Sequence, residues 1–200
     1  MVDVLDSLRF PFEKKNIISF LILSVLNVIW YLLVPLVAVN GYVVMLIRNV
    51  IEKKQMPDWT KFKFADWLYL LKHGFLYSVI MAVYFAVPFL LAFLGTNNTI
   101  SFGLILASFI TFLFVMAVLP MALVYYAATE SFIQAFNLPE IMLTIFRNIW
   151  KYLLVYFTSL ALFVIALFIG QYLFYFAGIV FIFPTVFAAH AFAKILAETQ

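Results

Sequence analysis

An all-α polytopic membrane fold, six helices paired as three hairpins with a short interfacial amphipathic helix before each, is what this sequence predicts. Three observations carry that expectation. The chain is 68% apolar with a mean hydropathy of +1.14, whereas soluble domains run near 45–50% apolar. At 200 residues it is too short to bury so much apolar surface in a water-soluble core. Every Asp, Glu, Lys and Arg falls in residues 1–15, 48–72, 130–151 or 194–200, leaving 16–47, 73–129 and 152–193 uncharged. The whole chain, 1–200, reads as a single integral membrane domain with hairpins at about 16–54, 73–129 and 152–193.

The elements follow in order. The N-terminal residues give a weak amphipathic helix, with Asp3, Asp6 and Ser7 opposing Val4, Leu5 and Leu8. The next apolar run is too long for a signal-peptide core and lacks a small-residue cleavage site, so it is expected to be retained. Block 16–47 is too long for one straight span and too short for two full ones, since a span needs roughly 20 residues. Cytoplasmic loops are enriched in Lys and Arg. A hairpin turning near Pro35–Gly41 puts every charge on one side, with both termini cytoplasmic. The preferred reading is a full crossing, which gives six membrane helices; the alternative is a re-entrant hairpin that never reaches the far surface. Block 73–129 holds two spans joined by the polar turn "GTNNTIS" (95–101), and block 152–193 holds two joined at "IGQY" (169–172).

A short helix is expected over 64–74, where Asp66, Lys72 and His73 oppose Phe64, Trp67, Leu68 and Leu71. Another is expected over 139–151, with a polar stripe of Glu140, Thr144, Arg147, Asn148 and Lys151. Asn137 and Glu140 have capping-box spacing. Trp59, Trp67 and Trp150 are placed to anchor the membrane interface. Each second helix of a hairpin carries a proline followed by small residues and Tyr or His: "VPLVAVNGY", "LPMALVYYA" and "FPTVFAAHA". If the hairpins repeat about a pseudo-symmetric axis, Arg48, Glu130 and Lys194 meet at a cytoplasmic mouth. Glu130 is then expected to pair with Arg48 or Lys194.

Three spaced elements carry a family resemblance. "LRFPFEKKN" (8–16) contains Pro11, Phe12 and Asn16. "NGYVVMLIRNVI" (40–51) contains Gly41, Tyr42, Arg48 and Asn49. "MPDW" (56–59) contains Pro57, Asp58 and Trp59. Together with "AFNLPEI" (135–141), these resemble the DUF4013 family of prokaryotic integral membrane proteins. Departures include Ile17 for the usual Trp and Lys53 for the usual Gly. The resemblance implies a multi-pass membrane protein and carries no catalytic residues across.

Catalytic chemistry is sparse. There is no cysteine, which excludes thiolate ligands and nucleophiles. His73 and His190 sit on different hairpins, and their spacing with Glu130 does not form a metal motif. No GxSxG, HExxH or phosphate-binding glycine loop occurs. No cofactor, metal site or nucleic-acid partner is expected. The sequence favours a non-catalytic scaffold or assembly subunit of a membrane complex in the cell membrane. Its expected partners are lipids and other membrane subunits or a second copy. The alternative is a permease or lipid-handling protein for a hydrophobic cargo.

Overall fold

The computed structural model describes residues 4–13, 16–28, 33–52, 57–58, 61–97, 101–172 and 177–199. Among these the chain is all-helical. The helices are α1 (Val4–Arg9), α2 (Ile17–Val28), α3 (Leu33–Ile51), α4 (Phe64–Asn97), α5 (Ser101–Thr129), α6 (Leu138–Arg147), α7 (Ile149–Tyr172) and α8 (Ala177–Ala197). Single 3-10 turns, Phe10–Phe12 and Ile133–Phe136, follow α1 and α5. Five helices (α3, α4, α5, α7 and α8) are long and apolar enough to cross a membrane. The sixth expected one, α2, has 12 residues among those described, about 18 Å at 1.5 Å each against a hydrocarbon layer of about 30 Å.

Two expected interfacial helices take a different form. Residues 64–74 are the first turns of α4 and run without interruption into the span. Their polar start has a physical cause, because the Asp66 carboxylate accepts the Lys63 backbone N–H at 2.7 Å, half of a capping box. Residues 139–151 are broken at Asn148, which leaves the helical conformation and ends α6. Trp150 and Lys151 therefore belong to α7. The capping box at Asn137 does not form: its Nδ2 donates to the Glu140 side chain at 2.7 Å instead of the side chain capping a backbone N–H.

Close approach of two backbones fixes how α3 meets α4. A Cβ on Gly41 would stand 2.0 Å from the Leu70 carbonyl oxygen, and one on Gly74 would stand 1.8 Å from that of Val37. Only glycines fit there, as at many membrane helix crossings. Nearby, Asn40 Nδ2 donates to Ser78 Oγ at 2.9 Å. This antiparallel register sets the start of α3 about level with Ile80. From there α4 continues for about 25 Å at 1.5 Å per residue.

The molecule therefore has two regions. A base comprises α1, α2, α3, α6 and the near parts of α4, α5 and α8. Its core includes fully buried Leu23, Tyr42, Leu46, Ile80, Tyr126, Phe187 and Ile195. From it project the far parts of two hairpins, α4–α5 and α7–α8. Beyond Tyr84, the buried residues of α4 are Pro88 and Gly95, both turned to α5. Ser108 Oγ donates to the Pro88 carbonyl at 2.7 Å, and Gly95 abuts Ile105. The remaining α4 and α5 surface there exposes Phe89, Leu90, Phe93, Phe102, Phe109 and Ile110.

Candidate functional site

The polar chemistry of the base gathers in two clusters, and the first lies where α3, α4 and α5 meet. Arg48 leaves the last turn of α3 and bonds Glu52 through Nε at 2.9 Å. Its Nη1 pairs with Glu130 Oε1. The same carboxylate oxygen accepts the Tyr69 hydroxyl at 2.9 Å. Buried His73 places Nε2 3.9 Å from Glu130 Oε2 and Nδ1 2.9 Å from the Tyr126 hydroxyl. The tautomer with hydrogen on Nε2 satisfies both contacts, because Nδ1 then accepts from Tyr126. Glu130 itself sits at φ 53°, in the left-handed region. It follows the last residue of α5, where glycine is the usual occupant. A carboxylate is held at this strained position while it bridges three helices, and backbone strain of this kind gathers at functional sites.

The second cluster joins α1 to α8. Lys194 Nζ pairs with Asp6 Oδ2, and His190 Nδ1 lies 3.0 Å from Ser7 Oγ. The His190 ring stacks on Phe10 at 4.0 Å. Lys194 holds the Asp6 carboxyl below its ordinary value of 3.8. At the same end, Lys151 bonds Glu198 at 2.5 Å and holds that carboxyl below its ordinary value of 4.5.

Of the three charges expected at one mouth, the fold thus brings Arg48 and Glu130 together and sends Lys194 to Asp6. The physical reason is α1, which lies against α8 and supplies a closer carboxylate. The two histidines are likewise separated, one in each cluster. No group of three or more metal-ligating side chains occurs among the described residues. Neither Tyr69 and His73 as partners of Glu130 nor Tyr126 as the partner of His73 was anticipated. The signal was present: Tyr69–His73 and Tyr126–Glu130 are both spaced i, i+4, so each pair shares one helix face.

The motif residues prove architectural. The Pro57 carbonyl accepts both the Tyr42 hydroxyl at 2.7 Å and Ser19 Oγ at 2.8 Å, tying α2 and α3 to the connector. Asn16, fully buried, donates to the Phe10 carbonyl at 2.7 Å. Pro11 is buried, and Phe12 packs on Phe20 and Phe183. Asp58 is 3.4 Å from Lys61, and Asn49 is half-buried in the last turn of α3. Trp67 packs edge-on against Phe62, and Trp150 is exposed at the start of α7. Trp59 lies outside the described residues. Thr144, expected on a water-facing stripe, is buried, its hydroxyl 2.6 Å from that of Tyr125.

The family model described as "Protein of unknown function (DUF4013)" matches residues 20–175. The chain belongs to this family. The match begins after Pro11, Phe12 and Asn16, and it includes the Arg48–Glu130 network and the Gly41–Gly74 crossing, but not the Asp6–Lys194 pair. No curated protein and no solved structure matches the chain.

A cavity of about 190 Å³ lies between α3, α5, α7 and α8, beside the first cluster. Its walls are apolar apart from a few hydroxyls, and none of the charged residues of either cluster lines it.

Proposed function

We propose that this chain is a non-catalytic multi-pass membrane protein acting as a scaffold or assembly subunit. In this reading the hairpins α4–α5 and α7–α8 cross the bilayer. The α2–α3 pair enters it only shallowly from the cytoplasmic side. The carrying observation is the contrast along α4, packed by α3 up to Ile80 and then exposing apolar side chains over a further length close to one hydrocarbon thickness. In lipid no hydrophobic force drives helices together, so association there rests on packing and small residues. Gly103 is exposed on α5 with open space around it, which gives a neighbouring helix room to approach. The outward Leu143 and Phe146 of α6 suit a helix lying in the headgroup layer.

The non-catalytic reading is supported by the use of the buried polar groups. His73, His190, Ser7, Ser19 and Thr144 are each engaged with another part of this chain. The excess of Lys and Arg at the base end supports a cell-membrane protein with that end, and both termini, cytoplasmic.

Two measurements test the reading. The full chain purified in mild detergent and in nanodiscs should run as a defined oligomer or with a stoichiometric partner; a lone monomer in both media counts against a scaffold. The natural lack of cysteine allows single thiols to report depth. On intact cells an impermeant reagent should label Thr96→Cys and spare Lys61→Cys and Val34→Cys. Labelling at Val34 would mean that the first hairpin crosses fully.

A further inference from the structure

We propose that the cavity between α3, α5, α7 and α8 is a binding site for one hydrocarbon chain of a bilayer lipid. The proposal rests on the reading that α7 and α8 lie in a membrane. Val43 and Ile47 of α3, Leu123 of α5, Phe163 of α7 and Ala189 of α8 form the lining. Its serine and threonine are already committed: Ser159 Oγ donates to the Val155 carbonyl at 2.8 Å and Thr185 Oγ1 to that of Phe181 at 3.1 Å. Tyr77 and Tyr156 bring two further hydroxyls. The other twelve lining side chains are apolar, and a resident water, which needs two to four polar partners, is poorly served over most of the space.

Size narrows the occupant further. A helix is about 10–12 Å across with its side chains, too wide for a space of about 190 Å³. A single flexible hydrocarbon chain is narrow enough to enter. Alanines 188 and 189 keep the space open where α8 faces α5 and α7. The way in is also marked. Leu160 and Phe163 belong both to the lining and to the exposed face of α7, within its apolar span 149–170. An opening at that position meets lipid tails and nothing polar. One turn before the lining residue Tyr156, the Tyr152 hydroxyl donates to the Ala117 carbonyl and ties α7 to α5.

The test uses the full chain in vesicles of phosphatidylglycerol carrying a diazirine midway along one chain. After irradiation, adducts are mapped by peptide mass spectrometry. The expected result is labelling of Val43, Leu123 or Ala189 in addition to Phe89 on the outer face of α4. Ala189→Phe, which fills the cavity, and Leu160→Trp, which blocks its mouth, should abolish the cavity adducts and leave those on Phe89. Leu160 is exposed, so its variant remains decisive if Ala189→Phe does not fold. Labelling of Phe89 with the cavity residues clean overturns the site. Cavity adducts that persist in Leu160→Trp also overturn it. Absence of label at both places means the hairpins are not in the bilayer, and the membrane reading fails together with the site.

Discussion

The base and the far ends of the hairpins solve the same problem in opposite ways. In the apolar stretch of α8, 61% of residues are buried, against 17% in that of α4, although both are rich in the same side chains. The base makes its own interior: backbones touch at Gly41 and Gly74, and hydroxyls reach across helices to carbonyls. The far ends of α4 and α5 hold each other through Ser108 and Gly95 and leave their phenylalanines outward. Hydropathy alone does not separate these regions, since it reports what a segment avoids and not what covers it. Sequence position relative to the two glycines separates them.

The largest expected effect is at the crossing itself. Gly41→Ala would place a methyl 2.0 Å from the Leu70 carbonyl oxygen, and neither backbone can yield without parting α3 from α4. Overpacking in a tight interior typically costs 1–3 kcal/mol, and a clash of backbone with backbone should reach about 3 kcal/mol or prevent folding. Gly103→Ala, in open space on α5, should be neutral or slightly stabilising, as alanine is the better helix former. Thermal unfolding in mild detergent, followed by size-exclusion chromatography, compares them. Equal behaviour of the two variants would erase the distinction between base and hairpin ends.

What the sequence made legible follows the same divide. The uncharged blocks located the helices of both hairpins, because desolvating a charge in hydrocarbon is costly enough to pattern the chain by itself. The turn expected at 95–101 lies partly outside the described residues, with Gly95 and Asn97 still in α4, and the one expected at 169–172 is instead the end of α7. How far α3 runs along α4 was not legible, because it depends on a register between Gly41 and Leu70 that no local period encodes. Thr144 was misassigned for a related reason. A helical wheel identifies a polar face but not whether a hydroxyl across the gap, here that of Tyr125, turns that face inward. The three-charge mouth assumed that the hairpins were equivalent. Pro35 lies in the first turn of α3, whereas Pro120 and Pro184 sit inside α5 and α8, so equivalence fails at the prolines too.

A second comparison is sharper because it concerns one atom. Thr144→Val removes the partner of a buried tyrosine hydroxyl in the base. The hydroxyl would keep only the long contact to the Glu140 carbonyl at 3.5 Å, and leaving a buried group so poorly paired costs up to about 1–3 kcal/mol. Thr158→Val on α7 deletes a hydroxyl bonded only to its own helix, at the Leu154 carbonyl. That change should shift the unfolding midpoint little or upward. A larger loss at Thr158 than at Thr144 would mean that α6 is not docked on α5.

The Glu130 network should give a smaller effect, read as coupling. Glu130 and Arg48 are each about a third or more exposed, so their pair belongs with surface salt bridges of roughly 0.2–1 kcal/mol. In a double-mutant cycle, Glu130→Gln with Arg48→Gln should show coupling of that size. Glu130→Gln with Lys194→Gln should be additive, because Lys194 is held by Asp6. Glu130→Gly would separate strain from pairing: it relieves the left-handed backbone while losing the same contacts, and should therefore destabilise less than Glu130→Ala.

The smallest expected effect is the acid response of the Asp6–Lys194 and Lys151–Glu198 pairs. Lys194 lowers the Asp6 pKa from 3.8 in the folded chain, and Lys151 lowers that of Glu198 from 4.5. A depressed carboxylate contributes stability that is present above its unfolded pKa and lost as pH falls through the folded one. Both contributions should therefore be constant from pH 5 upward and decline below about pH 4. Each is expected to be under about 1 kcal/mol, since these side chains are partly solvated. The far ends of the hairpins should take no part, because residues 73–129 carry no Asp, Glu, Lys or Arg. Melting temperatures between pH 3 and pH 7 for the wild-type chain and for Asp6→Asn with Glu198→Gln isolate the effect as a difference between curves. That subtraction removes what His73, in the other cluster, contributes to both proteins. The curves should lie apart at neutral pH, with the variant lower, and converge in acid. Parallel curves across the whole range would mean that neither pair forms, and α1 would then be held by the Ser7–His190 contact and its apolar packing.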